Sequence, residues 1–157
     1  MERTFKIIYT SDTHGHIFPV NYAAGCGESS GLLNLAAQID KNGNTLVLDG
    51  GDSLQGTPLV QYYLAHADEF PHHPVAEAFN AMGCDYFTLG NHDFNFGYDA
   101  LRAYLCAMDG VCLCANVQDL GGALPLLPET VHTLKNGLRI GITGIVTDYV
   151  NVWEQPQ

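Results

Sequence analysis

Basic residues are scarce in this chain: six Lys and Arg stand against 17 Asp and Glu, for a formal net charge of −11 over 157 residues. Such a surface repels a polyphosphate backbone, which excludes a nucleic-acid polymer as partner. A small anionic substrate stays open, provided bound cations reverse the local field. Long apolar runs are missing too. None approaches the ~20 residues of a membrane span, so no membrane partner is expected. Residues 1–6 carry no apolar signal-like stretch and lead directly into a strand-like segment, which leaves the compartment open. The five Cys are odd in number and irregularly spaced, an argument against a disulfide framework. Cys112 and Cys114 flank Leu113 in a strand-like run and share a face. A thiolate metal site with Cys106 is the rival reading; buried, reduced thiols are the expectation.

What is present is the composition of a folded domain, with 46% hydrophobic and 15% charged residues and a length that fits one domain with a real core. Residues 4–9 are strand-like. Residues 45–48 form the continuous apolar run of a buried parallel strand. Residues 85–89 and 111–117 read as a third and fourth strand. Between them lie helical patterns at 32–39, capped by Ser29 or Ser30 and ended by Asn42-Gly43, and at 58–67, with Pro58 in its first turn. Two more follow at 75–82, stopped by Gly83, and at 98–108, where Leu101, Tyr104, Leu105 and Met108 recur at helical spacing. Tyr62 and Tyr63 read as packing residues. Residues 131–134 and 138–146 flank Asn136-Gly137, a strong hairpin signal. Residues 19–30, 70–74 and 121–128 read as loops. Within the first, Gly25-Cys26-Gly27 lacks the Gly-Lys-Ser ending of a phosphate loop. Within the second, the adjacent His72 and His73 cannot easily share one metal. Strands alternating with helices predict an α/β layered fold: a largely parallel sheet flanked by helices. Ligands of such sheets bind beyond the carboxyl ends of the strands.

Three motifs fall at those ends: Asp12-Thr13-His14, Gly51-Asp52 and Gly90-Asn91-His92-Asp93. Asp, His and Asn are borderline-hard donors that suit Mn²⁺, Fe²⁺, Zn²⁺, Co²⁺ or Ni²⁺ better than Ca²⁺. A carboxylate such as Asp52 can bridge two cations, one oxygen to each. Cations ~3.5–4 Å apart clamp the attacking and leaving oxygens of a phosphoryl displacement. Gly51 and Gly90 let the backbone turn off the strand and approach the site. An Asp-x-His triple arises by chance in roughly one chain in five of this length, but a Gly-Asn-His-acid tetrad in only about one in a thousand. His16 is expected to face solvent or orient a neighbour, and Asp49 to support the turn rather than bind metal.

Ser11-Asp12-Thr13-His14-Gly15-His16, Leu48-Asp49-Gly50-Gly51-Asp52-Ser53-Leu54-Gln55-Gly56-Thr57-Pro58 and Thr88-Leu89-Gly90-Asn91-His92-Asp93-Phe94-Asn95-Phe96-Gly97 resemble the calcineurin-like metallophosphoesterases. Within them the chain is similar to the 5′-nucleotidase and 2′,3′-cyclic-nucleotide 2′-phosphodiesterase family. The likeness extends through Cys114-Ala115-Asn116-Val117 to residues 141–147. It implies that Asp12 and His14 bind a first metal, that Asp52 bridges and that Asn91 binds a second. His92 would donate to the phosphoryl or leaving oxygen. Asn95 stands where the nucleotidase branch carries an aspartate that orients this histidine. An amide can hold the imidazole but cannot stabilise its cation as a carboxylate does. The Phe94-Asn95-Phe96-Gly97 continuation is similar to the cyclic-nucleotide branch, and Asp93 stands where the family usually has glutamate.

The family completes its metal sites with later histidines, including a Gly-His-x-His motif, and binds the nucleoside through a separate carboxyl-terminal domain. Here no His follows His132, which matches none of the family's ligands. Residues 1–157 are therefore expected to be the amino-terminal part of a metallophosphoesterase domain, truncated before its second half and without the nucleotide-specificity domain. The intact parent would hydrolyse nucleotide phosphoesters with two divalent metal ions. This chain alone would hold metal weakly or partially and be inactive. The alternative is a non-catalytic metal- or nucleotide-binding module. An apolar edge or face left by the hairpin at 131–146 is expected to drive self-association.

Overall fold

Residues 2–153 are described by the computed structural model. The chain runs through β1 (Lys6–Thr10), a small hairpin of β2 (Val20–Asn21) and β3 (Cys26–Gly27), and α1 (Leu32–Ala36). It continues through β4 (Thr45–Asp49), α2 (Pro58–Ala65), α3 (Pro74–Met82), β5 (Tyr86–Phe87), α4 (Gly97–Ala107), β6 (Val111–Leu113) and β7 (Leu126–Leu127). A hairpin of β8 (Glu129–Thr133) and β9 (Arg139–Thr143) and the short α5 (Val150–Trp153) follow.

The main sheet has the order β1-β4-β5-β6-β7, with every neighbouring pair parallel. Successive strands step in one direction, so right-handed crossovers bring the connecting helices to the same face. One core fills that face, with Val47 and Phe87 from the sheet, Val60 from α2, Phe79 and Met82 from α3, and Leu101 and Tyr104 from α4. The opposite face is partly covered by the β8–β9 hairpin. His132 Nδ1 meets the Tyr86 hydroxyl at 2.9 Å, Leu46, Leu113 and Leu134 are buried, and a cavity of about 200 Å³ remains between Leu48, Tyr86 and Ile142. At the sheet's edge, β1 leaves Phe5, Ile7 and Tyr9 at 44%, 48% and 63% exposure.

Several elements depart from expectation for local reasons. Gly31, at φ 87°, takes the N-cap position of α1 and has no side chain to cap with; the Ser30 hydroxyl is engaged by Glu28 and His16 instead. The third strand shrinks to two residues as the chain turns off to build the site, and the fourth to three, after which Cys114 and Ala115 pair with Leu127 and Gly144. The stretch read as connection before the hairpin contributes β7. Pro125 and Pro128 flank it, and a Pro-flanked pair can only be an edge strand. Residues 19–30 hold the β2–β3 hairpin. At the Asn136-Gly137 turn, Gly137 N–H donates to Leu134 O at 2.8 Å and Leu134 N–H to Leu138 O at 2.9 Å. That is a three-residue loop with Gly137 at φ 80°, not a two-residue turn. Tyr63 is buried and Tyr62 exposed. Cys112 and Cys114 are buried while Cys106 is exposed. Burial raises both buried thiols, which keeps them protonated and unsuited to a thiolate site.

Candidate metal centre

The three motif-bearing strands β1, β4 and β5 are neighbours, so their carboxyl-terminal loops lie side by side. Backbone bonds lace the loops together. Asp12 N–H donates to Gly51 O and His14 N–H to Asp52 O, each at 2.9 Å. The His92 N–H donates to Asp52 Oδ1 at 2.8 Å. One ligand atom each of Asp12, His14 and Asp52 lies within 4.8 Å of the others. Asp12 is exposed; His14 and Asp52 are half-buried.

Asp12, His14 and Asp52, at φ 54°, 48° and 58°, are also the only non-glycine residues of positive φ among those described. Left-handed backbone costs an L-residue about 1–2 kcal/mol, less for Asp. Strain of this kind clusters at functional sites, and here it falls on the three side chains that converge. The close approach explains the glycines. A Cβ on Gly90 would stand 2.1 Å from Asp52 Oδ1, and one on Gly51 would stand 2.2 Å from Gly90 N. Gly51 also needs its φ of 90°; Gly90, at φ −95°, is small only because Asp52 lies against it.

His14 Nδ1 lies 2.8 Å from the Gln55 carbonyl. A carbonyl only accepts, so Nδ1 carries the proton and Nε2 is left as a ligand. His92 Nδ1 lies 2.9 Å from Asn95 Oδ1, which leaves its Nε2 likewise. The two imidazole rings are 5.4 Å apart. Asn91 opens the short turn Asn91–Phe94, between Gly90 and His92. The site thus gathers Asp12, His14 and Asp52 directly and lays the His92–Asn95 pair beside them. Two carboxylates and a neutral imidazole suit a borderline divalent cation, so the donor set fits the metal the motifs imply. Asp52 Oδ1 is held by His92 N–H, and no hydrogen bond to Oδ2 is found among the described residues.

Asp49 stands apart from the three converging ligands. It is buried, accepting from Thr10 Oγ1 at 2.6 Å and from Gly51 N–H at 2.9 Å, and burial pushes its carboxyl up to about 6. His16 binds Ser30 Oγ at 3.0 Å and Glu28 at 3.2 Å, so it orients a neighbouring loop. His73 caps α3 from its buried position. Sequence reasoning missed that role, although a residue directly before a Pro at the first helical position is a natural N-cap. It also missed what Asp93 holds; the motif showed the acid but not its partners.

An α/β sheet whose strand ends gather two carboxylates and a histidine presents a candidate divalent-metal site. The sequence pattern of the calcineurin-like phosphoesterases matches residues 5–155, and the chain belongs to that family, whose members use divalent metals. It is 30% identical to the trifunctional nucleotide phosphoesterase protein YfkN of Bacillus subtilis, over 96% of this chain and 12% of that protein. It is also 30% identical to a 2′,3′-cyclic-nucleotide 2′-phosphodiesterase/3′-nucleotidase of Salmonella typhimurium, over 96% of this chain and 26% of that protein. The crystal structure of a putative 5′-nucleotidase from Staphylococcus aureus, in complex with alpha-ketoglutarate, superposes with a TM-score of 0.79 at 31% identity. That match covers 96% of this chain and 30% of the other. The chain therefore spans between about an eighth and a third of the length of these relatives.

Proposed function

We propose that this chain is the amino-terminal part of a metallophosphoesterase domain, and that the complete protein hydrolyses nucleotide phosphoesters. The observation that carries this reading is the convergence of Asp12, His14 and Asp52 in left-handed backbone at one rim of the sheet. Asp12 and His14 would hold a first divalent cation, Asn91 would hold a second, and Asp52 would be shared between them. Bound cations supply Lewis-acid activation of the phosphate and of the attacking water. The chain's own residues bind and orient. His14 is fixed in its ligating tautomer by Gln55, and His92, held at Nδ1 by Asn95, is aimed to serve the leaving oxygen through Nε2. Asn95 in place of a carboxylate favours a 2′,3′-cyclic nucleotide diester over a 5′-monoester as substrate.

Four ligands shared over two cations leave each one underligated, and affinity follows ligand count. Calorimetry with Mn²⁺ and an assay with a nitrophenyl phosphodiester test this directly. The expected result is weak Mn²⁺ binding, lost in Asp52→Asn, with negligible turnover by this chain. Tight binding with rapid turnover refutes the half-site reading; absence of binding refutes the metal reading. The hairpin leaves Val131 exposed and the stretch after it leaves Ile145 exposed, and β1 at the sheet's edge exposes Ile7 and Tyr9; these apolar surfaces support association with a second copy. Light scattering that stays monomeric over a wide concentration range contradicts that part.

A further inference from the structure

One group beside the centre is more deeply buried than any proposed ligand. The Asp93 side chain is 1% exposed, and no ion pair among the described residues reaches it. Its charge is met by backbone amides alone. Oδ2 accepts from Asp52 N–H at 2.9 Å and Gly90 N–H at 2.8 Å. Oδ1 accepts from Ser53 N–H at 2.8 Å and Leu54 N–H at 3.0 Å. Three consecutive amides of the loop after β4 are thus tied to the loop after β5 by one carboxylate.

The tie reaches three of the four proposed ligands, Asp12, His14 and Asp52. The Asp52 carbonyl receives the His14 N–H, and the carbonyl just before it, of Gly51, receives the Asp12 N–H. Asp52 Oδ1 receives the N–H of His92, the residue before Asp93. Asp52 is itself strained, at φ 58°, and such a conformation persists only where its surroundings over-determine it. Four amides pointing inward at one carboxylate are such a constraint.

We propose that Asp93 is the positioning residue of this centre, setting where Asp52 stands and, through the laced backbones, where Asp12 and His14 stand. It acts through those residues rather than by touching a substrate or a cation, and the proposal rests on the metal-centre reading above. An amide at this position has a single acceptor oxygen and turns an N–H₂ group toward amide donors, so Asp93→Asn breaks about half of the cradle. Asp93→Glu keeps both oxygens and the charge.

The test is Mn²⁺ binding followed by electron paramagnetic resonance in the wild type, Asp93→Asn, Asp93→Glu and Asp52→Asn, each checked for native near-ultraviolet circular dichroism. Asp93→Asn should lower Mn²⁺ affinity about tenfold or more, the loss typical of removing a group that orients a ligand, and Asp93→Glu should recover most of it. A folded Asp93→Asn with wild-type affinity, or a folded Asp93→Glu no better than it, overturns the positioning role. Wild-type Mn²⁺ binding that Asp52→Asn leaves unchanged, or no binding at all, instead overturns the metal-centre reading and the positioning role with it. Should Asp93→Asn not fold, amide exchange in the wild type decides. The Asp52, Ser53, Leu54 and Gly90 amides should be protected and should slow further on adding Mn²⁺; free exchange, or exchange indifferent to Mn²⁺, overturns the proposal.

Discussion

Acidification should weaken the folded chain through one histidine, His73. It is 4% exposed, between the rings of Tyr63 and Tyr104, at 4.6 and 5.3 Å. Its Nδ1 accepts the Ala76 N–H and so caps α3, and its Nε2 has no hydrogen-bond partner among the described residues. Protonating Nδ1 would turn the cap's acceptor into a donor facing a donor. Burial accordingly pushes this imidazole down to about 4, against about 6.5 in an unfolded chain. The folded state then binds fewer protons than the unfolded one at mildly acidic pH. Stability present above pH 6.5 is lost as pH falls toward 4, by about 3 kcal/mol in all. Asp49 works in the opposite direction. Its carboxyl is raised to about 6, so its contribution is full below about pH 4 and fades as pH rises through 6, again by about 3 kcal/mol. Asp49, and Asp93, whose carboxyl burial also raises, work against His73, so the whole-chain pH profile does not isolate the histidine. Comparison with His73→Asn isolates the histidine, because Asn caps a helix well and does not titrate. In urea unfolding between pH 7.5 and 3.5, the stability advantage of wild type over the variant should shrink by about 3 kcal/mol on the acid side. A difference constant across that range refutes the reasoning that the fold holds His73 neutral.

Gly90→Ala places a Cβ 2.1 Å from the Asp52 carboxylate. Since backbone must move, urea unfolding should show a loss of about 2 kcal/mol or more; a neutral substitution would mean the two loops are not packed as described. Asp12→Asn removes a charge whose ligand oxygen lies within 4.8 Å of that of Asp52, and Asn tolerates left-handed backbone. Melting in chelator should show a metal-free protein more stable by about 1 kcal/mol, with the gain shrinking as salt is added. A destabilised variant contradicts the repulsion.

The parts of the fold that were legible beforehand are those where burial alone dictates the pattern. Residues 45–48 read as a buried strand because both faces of β4 are covered, by Val47 toward the helices and Leu46 toward the hairpin. The helix with Leu101, Tyr104 and Leu105 read correctly because its apolar stripe packs on the core. Residues 85–89 read as too long a strand, since Leu89 is buried in a loop rather than in a ladder. β7 was hidden because two residues between prolines carry no periodicity. At the site, residue types and their place at strand ends pointed to Asp12, His14 and Asp52, whose ligand atoms lie within 4.8 Å of one another. The left-handed backbone of the ligands, the cap by His73 and the four amides on Asp93 were not legible. Each depends on how closely two distant loops approach, and composition does not encode that distance.

The most direct test is diffraction from crystals of this chain soaked in Mn²⁺, with an anomalous map collected at the manganese edge. The account predicts a peak within bonding reach of Asp12, His14 and Asp52. A map with manganese elsewhere on the chain, and none between these three side chains, would contradict it.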